Sequence, residues 1–263
     1  MTGPLLIDRD GGVATLTLNR PSSLNSLSVE LKEALLAGLA EVRDDPAVRA
    51  VVLTGSGGAF CAGQDLREHA ALLDSGDPAP LRTVAEHYNP ITLGIAELPK
   101  PVVAAVRGMA AGAGAGFAFA ADLRIGGPST RILLAFAAVG LAGDSGVTWT
   151  LQRLAGYGKA TELLLLGTPL DATAALSAGL LTEVVGTDED VLPRAHDLAA
   201  RLASGPSVAF AQIKRCLRIA ASSPLAEALD AEAEAQALCG TTTDHRTATH
   251  AFLTKQPPTF TGH

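Results

Sequence analysis

Aromatic side chains are scarce in this sequence: one Trp, two Tyr and seven Phe in 263 residues. The core must therefore be built mainly from Ala, Leu and Val. Cysteine is rarer still. Cys61, Cys216 and Cys239 are odd in number, widely spaced and in no ligand pattern, which excludes a disulfide framework and a zinc motif. Positive charge is outnumbered, with 20 basic against 27 acidic residues and a net charge of −7, which disfavours nucleic acid as the main partner. The N-terminus, MTGPLLIDRDGG, lacks the charged-then-apolar pattern of a signal segment, so a cytoplasmic protein is expected. No uninterrupted apolar span is present either. The longest candidate, 102–121, carries Arg107, Gly108, Gly112, Gly114 and Gly116, and no membrane association is expected. With 48% apolar residues, the composition is not that of a disordered chain. Its length suits one large domain or a domain with an appendage.

What is present centres on residues 100–122, KPVVAAVRGMAAGAGAGFAFAAD. Pro101, Val102, Val103 and Val106 read as a buried strand. A Gly-rich turn follows, and then helix-compatible spacing from Phe117. A strand that passes through such a turn into a helix leaves backbone N–H groups unpaired at the helix start. The small residues let a ligand approach them, and the helix dipole favours negative charge there. The site can bind a phosphate or hold an oxyanion. Tight helix–strand packing would use the same residues. A dinucleotide fingerprint is excluded, since the G-x-G-x-x-G spacing is absent.

Along the chain, 5–8 and 13–19 flank Asp10, Gly11 and Gly12 and predict a hairpin. Ser28 is placed to cap a helix carrying Leu31, Leu35, Leu39 and Val42 on one face. A strand is expected over 48–54, an interrupted helical stretch over 66–98, and short strands at 123–125, 132–134 and 184–185. Helices are expected at 147–155, 157–166 and 172–178. From 188 onward the pattern is helical, with segments over 188–204, 207–221, 224–238 and 242–252, three of them separated by Pro206 and Pro224. The chain therefore divides into an α/β core, 1–187, and a C-terminal helical region, 188–263, expected to pack on the core or on a neighbouring subunit.

Several motifs, in order, resemble the crotonase, or enoyl-CoA hydratase/isomerase, superfamily. They are Asn19, Arg20 and Pro21 with Leu24, Asn25, Ser26 and Leu27; then Ala59 through Leu66, AFCAGQDL; then Lys100 through Val106 with Gly108. Ala121 through Ile125, Gly140 with Leu141 and Asp144, and Ala178 through Leu180 complete the set. The resemblance runs from about Leu5 to the C-terminus. It implies a spiral of ββα repeats with a C-terminal helical trimerisation region, assembly as a homotrimer or a hexamer of paired trimers, and acyl-CoA thioester substrates. No separate cofactor is implied, because coenzyme A is part of the substrate.

The resemblance also assigns roles. The backbone N–H groups of Gln64 and Ala113 would hold the thioester oxygen. Ala62, Gly63, Leu66 and Gly112 would line the substrate channel, and Phe252 and Lys255 would touch CoA from a neighbouring subunit. The two glutamates typical of hydratases would fall at Gly116 and near Phe136, and neither position is acidic. Gly116→Glu would then restore one of them and raise water addition. The acid that remains is Asp144, at a position resembling the isomerase branch, including ring-1,2-epoxyphenylacetyl-CoA isomerases, and dehalogenases. The run from Gly146 to Trp149 leans the same way.

The chemistry supports that assignment. Hydration needs a positioned, activated water, whereas a shift of a double bond needs only one group that removes a proton and returns it. Leu141, Val147 and Trp149 would surround Asp144 and raise its pKa. Capping the following helix is the competing role for Asp144. Asp65 is expected to fix its own turn and Asp122 to orient backbone at a strand start. Cys61 is expected to be buried packing. His69, His87 and Tyr88 could supply a second polar group, but a solvated helix face is the expected place for each. A solvated or intersubunit face is likewise expected for 212–218. The leading expectation is an enoyl-CoA isomerase. The alternatives are a hydratase or hydrolase, or a non-catalytic acyl-CoA- or RNA-binding relative.

Overall fold

The computed structural model describes residues 3–263. β1 (Leu5–Asp10) and β2 (Val13–Leu18) form the expected hairpin, turned by Gly11 and Gly12 at φ 53° and 85°. α1 (Val29–Asp44) starts where Ser28 accepts the Leu31 N–H at 3.3 Å, and it buries Leu31, Leu35, Leu39 and Val42. β3 (Ala50–Gly55), α2 (Leu66–Asp74) and α3 (Asn89–Ala96) follow, with a π-helical turn over 84–88 just before α3. Then come β4 (Val102–Val106), β5 (Met109–Ala111), α4 (Ala113–Ala120), β6 (Leu123–Gly126) and β7 (Arg131–Leu133). α5 (Val147–Leu166) is kinked at Gly156, where φ 80° and ψ 158° break the helical run. β8 (Leu170–Asp171), α6 (Ala172–Ser177) and β9 (Glu183–Val184) complete the strands. Four helices close the chain: α7 (Val191–Ala203), α8 (Ser207–Ala220), α9 (Leu225–Gly240) and α10 (Thr243–Thr254).

The strands make a mixed α/β arrangement of two sheets. One has the order β1-β2-β3-β4-β6-β9 and is parallel after its opening hairpin; the other has the order β5-β7-β8. β4 lies in the middle of the larger sheet and is buried throughout. Its side chains alternate between two apolar layers, as strand periodicity requires. Val102, Ala104 and Val106 join the layer of α1, α3 and α4; Val103 and Ala105 join the other, under α7.

Two features differ from the sequence reading. The Gly-rich stretch does not pass straight from strand to helix, because β5 lies between β4 and α4. With three residues in β5 and two in β8, neither shows a readable alternation, and both are held by the small sheet. Second, the expected break at residue 188 does not coincide with a break in packing. α7 presents Ala195, Ala199 and Ala203 at helical spacing onto β3, β4 and β6, so it is part of the core. The change comes after Gly205, where α8 packs chiefly on α9.

Candidate active site

Two backbone turns meet at the start of α4. In the first, the Gly63 carbonyl accepts the Leu27 N–H at 2.8 Å, and the Asp65 N–H donates back to the Leu27 carbonyl at 3.4 Å. A trans peptide directs its carbonyl and N–H oppositely, so tying the Gly63 carbonyl to Leu27 aims the Gln64 N–H the other way. In the second, Gly112, at φ 49° and ψ −124°, leads into α4, and Ala113 is the first helical residue. Among the described residues, neither the Gln64 N–H nor the Ala113 N–H has a hydrogen-bond partner.

Close packing of small residues brings the two turns together. A β-carbon on Gly63 (φ 86°) would stand 3.6 Å from the Ala113 nitrogen and 2.8 Å from the Ala111 carbonyl oxygen. One on Gly114 would stand 2.7 Å from the Cys61 Sγ. Glycine is required at both positions by space, and at Gly63 by backbone angle as well. Cys61 is wholly buried, and burial pushes its thiol up to about 12, so it packs and does not react.

Asp144 lies on the loop that meets α4 one turn beyond Ala113. The Ser145 turn that carries it rests on Gly116 of α4. The Asp144 carboxylate is half-buried, and burial raises its pKa above the ordinary carboxyl value, against the effect of a 2.9 Å hydrogen bond from the Ser145 hydroxyl. It does not cap α5. The N-cap is Gly146, no side chain caps that helix start, and only the Asp144 main-chain carbonyl accepts from Val147. A carboxylate with no capping duty and a pair of free donors thus lie on segments that pack against the same helix, α4. That arrangement can take a proton while the donors hold a developing negative oxygen.

The other expected residues divide. Phe136 is buried, its ring 3.9 Å from where a Gly112 β-carbon would lie, and Leu141 and Ala62 are half-buried. Leu66 is exposed at the start of α2. Gly116 is closed off by Ser145 and offers no surface to a ligand. Val147 and Trp149 are two residues apart on α5 and so face nearly opposite ways; Val147 is buried and Trp149 lies outside, 3.9 Å from the Arg153 guanidinium. Phe252 and Lys255 stand at the end of α10, which packs chiefly on α9, and Phe252 is 83% exposed. The single chain does not bring them into this cluster.

The sequence of the Enoyl-CoA hydratase/isomerase family matches residues 8–263. The chain belongs to the enoyl-CoA hydratase/isomerase family. It is 42% identical over 253 residues to the 1,2-epoxyphenylacetyl-CoA isomerase of Escherichia coli K12, covering 95% of each chain. It is 34% identical to the trans-2-decenoyl-[acyl-carrier-protein] isomerase of Streptococcus mutans, covering 98% of both. A crystal structure from Mycobacterium abscessus, assigned to the same hydratase/isomerase group, superposes with a TM-score of 0.94 at 41% identity, over 98% of this chain and 100% of that one. Two comparable donor turns and one acid are thus set within a fold that this enzyme family shares.

Among the other polar residues of this hydratase/isomerase chain, Asp65 and Asp122 take the expected roles and Tyr88 does not. Asp65 caps α2 through the Arg67 and Glu68 N–H groups and receives Arg20 and Ser26 as well. Burial opposes its ionisation, yet those bonds hold its carboxyl below the ordinary value. Asp122 accepts the Val102 N–H at 2.7 Å, the strand-start role expected of it. Tyr88 is not on a solvated face. It is 1% exposed, packs edge-on against Phe117, and donates its hydroxyl to the Gln64 Oε1. Below it lies Lys32, also buried, with its Nζ 5.5 Å from the Tyr88 ring and 2.7 Å from the Thr83 hydroxyl. A lone tyrosine in a polar stretch gave no periodic signal that would have shown this. Among the described residues, no group of three or more His, Cys, Asp or Glu is placed to hold a metal ion.

Proposed function

We propose that this chain is an enoyl-CoA isomerase that moves a double bond, or opens or shifts a ring, through a thioester enolate. The Asp144 carboxylate removes a proton from C2 of a 3-enoyl thioester. Negative charge passes to the thioester oxygen, where the Gln64 and Ala113 N–H groups act as an oxyanion hole. The protonated Asp144 then returns the proton at C4 and leaves the 2-enoyl product. Donors of this kind are worth roughly 3–4 kcal/mol each in comparable sites. The chemistry needs no cofactor beyond the coenzyme A that the substrate carries.

The observation that carries this reading is the state of Asp144: one half-buried carboxylate with a raised pKa, free of capping, on a turn packed against the helix whose start carries the unpaired Ala113 donor. A raised pKa suits a group that must both take and give a proton near neutrality. The relative that acts on 1,2-epoxyphenylacetyl-CoA supports the isomerase branch and a ring substrate.

Assembly belongs to the same proposal. A cavity of about 630 Å³ opens among α8, α9 and α10, lined by Ile213, Leu217 and Ala235 among others. Leu225, Leu229 and Phe252 are exposed on these helices. Helices from 207 onward would pair with other subunits in a trimer, which is where Phe252 and Lys255 could reach CoA bound elsewhere.

Product analysis tests the function. Purified protein given 3-enoyl-CoA should yield 2-enoyl-CoA, and given 2-enoyl-CoA should add water slowly or not at all. Rapid formation of 3-hydroxyacyl-CoA would replace the isomerase reading with a hydratase.

A further inference from the structure

The turn that carries Asp144 is clamped from two sides. Ser145 rests on Gly116 of α4, and a β-carbon on Gly146 would stand 3.1 Å from the Thr92 Cγ2 of α3. Held between them, Ser145 adopts φ 50°. Glycine would take that angle freely, whereas a residue with a β-carbon takes it at a cost. Strain of this kind gathers where a side chain has work to do.

The Ser145 side chain shows that work. The residue is 1% exposed, so its hydroxyl is closed to bulk water, and it donates to the Asp144 Oδ1 at 2.9 Å. Among the described residues the other carboxylate oxygen, Oδ2, has no hydrogen-bond partner. Nor is it sealed in. The His69 Nδ1 and the Thr92 hydroxyl are both unpartnered and closed off, but the Asp144 Oδ2 is not such an atom and opens on free space. One hydrogen bond thus makes the two oxygens unequal. A hydroxyl that donates to a carboxylate favours its charged form, and the Ser145 bond lowers the Asp144 pKa while burial raises it more. The titratable neighbour is Tyr88, in the turn before α3, and Asp144 is the strongest charge acting on its hydroxyl. The packed elements α3, α4 and the first turn of α5 carry no charged residue.

We infer that Ser145 is a positioning residue: its hydroxyl holds the Asp144 carboxylate by Oδ1 and leaves Oδ2 as the one oxygen that takes the proton from C2 and returns it at C4. This rests on the enolate reading above, in which Asp144 is the base. In the first transfer the C2–H bond breaks, its electron pair enters the enolate, and an Oδ2–H bond forms. In the second the Oδ2–H bond breaks, an electron pair of the enolate forms C4–H, and the carboxylate is charged again. A carboxylate free to rotate would spread its oxygens over many positions, and small misplacements of a reacting group are costly. Held at one oxygen, it offers the other in the same place for both transfers.

Ser145→Ala and Ser145→Gly test this with a 3-enoyl-CoA. Both remove the hydroxyl. Ala keeps the β-carbon that rests on Gly116 and Gly suits the backbone angle, so the pair separates the hydroxyl from the shape of the turn; circular dichroism checks the fold of each. In both, kcat should fall about tenfold with KM little changed. The acid limb of kcat/KM should move up by about one pH unit, because the donor that favoured the charged form is gone. Wild-type kcat with an unmoved limb in either folded variant would overturn the inference. Asp144→Asn is measured beside them. If it keeps wild-type turnover, the enolate reading fails and takes the inference with it; if it is inactive while the Ser145 variants match wild type, the inference fails alone. A 13C titration of the Asp144 carboxyl, identified by its loss in Asp144→Asn, reads the same hold without turnover. Its midpoint should rise in both Ser145 variants, and an unchanged midpoint would sink the inference even if no substrate were turned over.

Discussion

A β-carbon on Gly116 would stand 2.6 Å from the Ser145 Cβ and 2.7 Å from the Ser145 carbonyl oxygen. The missing side chain is what lets the Asp144 turn lie on α4. It also changes the outcome expected of Gly116→Glu. The new side chain would collide with backbone and not enter the pocket. It should destabilise the protein by roughly 1–3 kcal/mol, the usual cost of overpacking, and isomerisation should fall with no gain in water addition. Calorimetry and product analysis together check this; a Glu variant with wild-type melting and new hydratase activity would show that the turn can move aside.

Asp144→Asn separates chemistry from stability. Turnover should fall by roughly 100-fold or more, the scale of a lost general base, with CoA affinity nearly kept. Stability should move the other way. The folded pKa of Asp144 lies above its ordinary 3.8, so the folded form holds its proton more tightly than the unfolded. Its contribution is therefore full below the ordinary value and is lost as pH rises through the folded pKa. Asn removes that loss. The variant should melt no lower, and slightly higher, than wild type at pH 7, with the advantage vanishing in acid below the ordinary value. Wild-type activity should rise on the acid side with an apparent pKa above that of a free carboxylate. A stable Asn variant with normal turnover would remove Asp144 from the mechanism.

Ala113→Pro deletes one donor at a position that accepts proline. Ala113 is the first residue of α4, where proline is favoured and no intrahelical bond is lost. The variant should fold, by circular dichroism, and lose roughly 100-fold or more in kcat. Ala113→Gly keeps the N–H and should lose little. Equal rates in the two folded variants would show that this N–H does not act.

Much of the fold was legible because its longer elements carry clear periods. α1 showed its cap and its stripe at Ser28, Leu31, Leu35, Leu39 and Val42, and β4 showed its run of valines. The donor turns were legible as glycines, at Gly63 and Gly112. What escaped the sequence was burial that runs against residue type. Lys32 and Lys214 look like solvated helix charges and are both buried. Trp149 looks like pocket wall, yet 43% of it is exposed. Alanines 195, 199 and 203 looked like part of a peripheral helix, yet small side chains are what allow α7 to sit closely on the sheet.

Lys214 is the clearest such case. From α8 its Nζ donates to the Lys100 carbonyl at 2.8 Å and to the Asp122 Oδ2 at 2.7 Å. Burial depresses its pKa, and Asp122 opposes that. Lys214→Met should destabilise the protein by about 2 kcal/mol, since a carboxylate loses its charged partner. Urea denaturation measures this, and a midpoint unchanged from wild type would show that water replaces the ammonium without cost.

The same Asp122 oxygen also receives the Val102 N–H at 2.7 Å, so one carboxylate joins α8 to the first residue of the central strand. The C-terminal helices are thus not a detachable handle. A chain cleaved after Ser204 would leave the leading end of β4 facing water with an unbalanced anion, and the fraying would begin in the strand that feeds the Gly-rich turn.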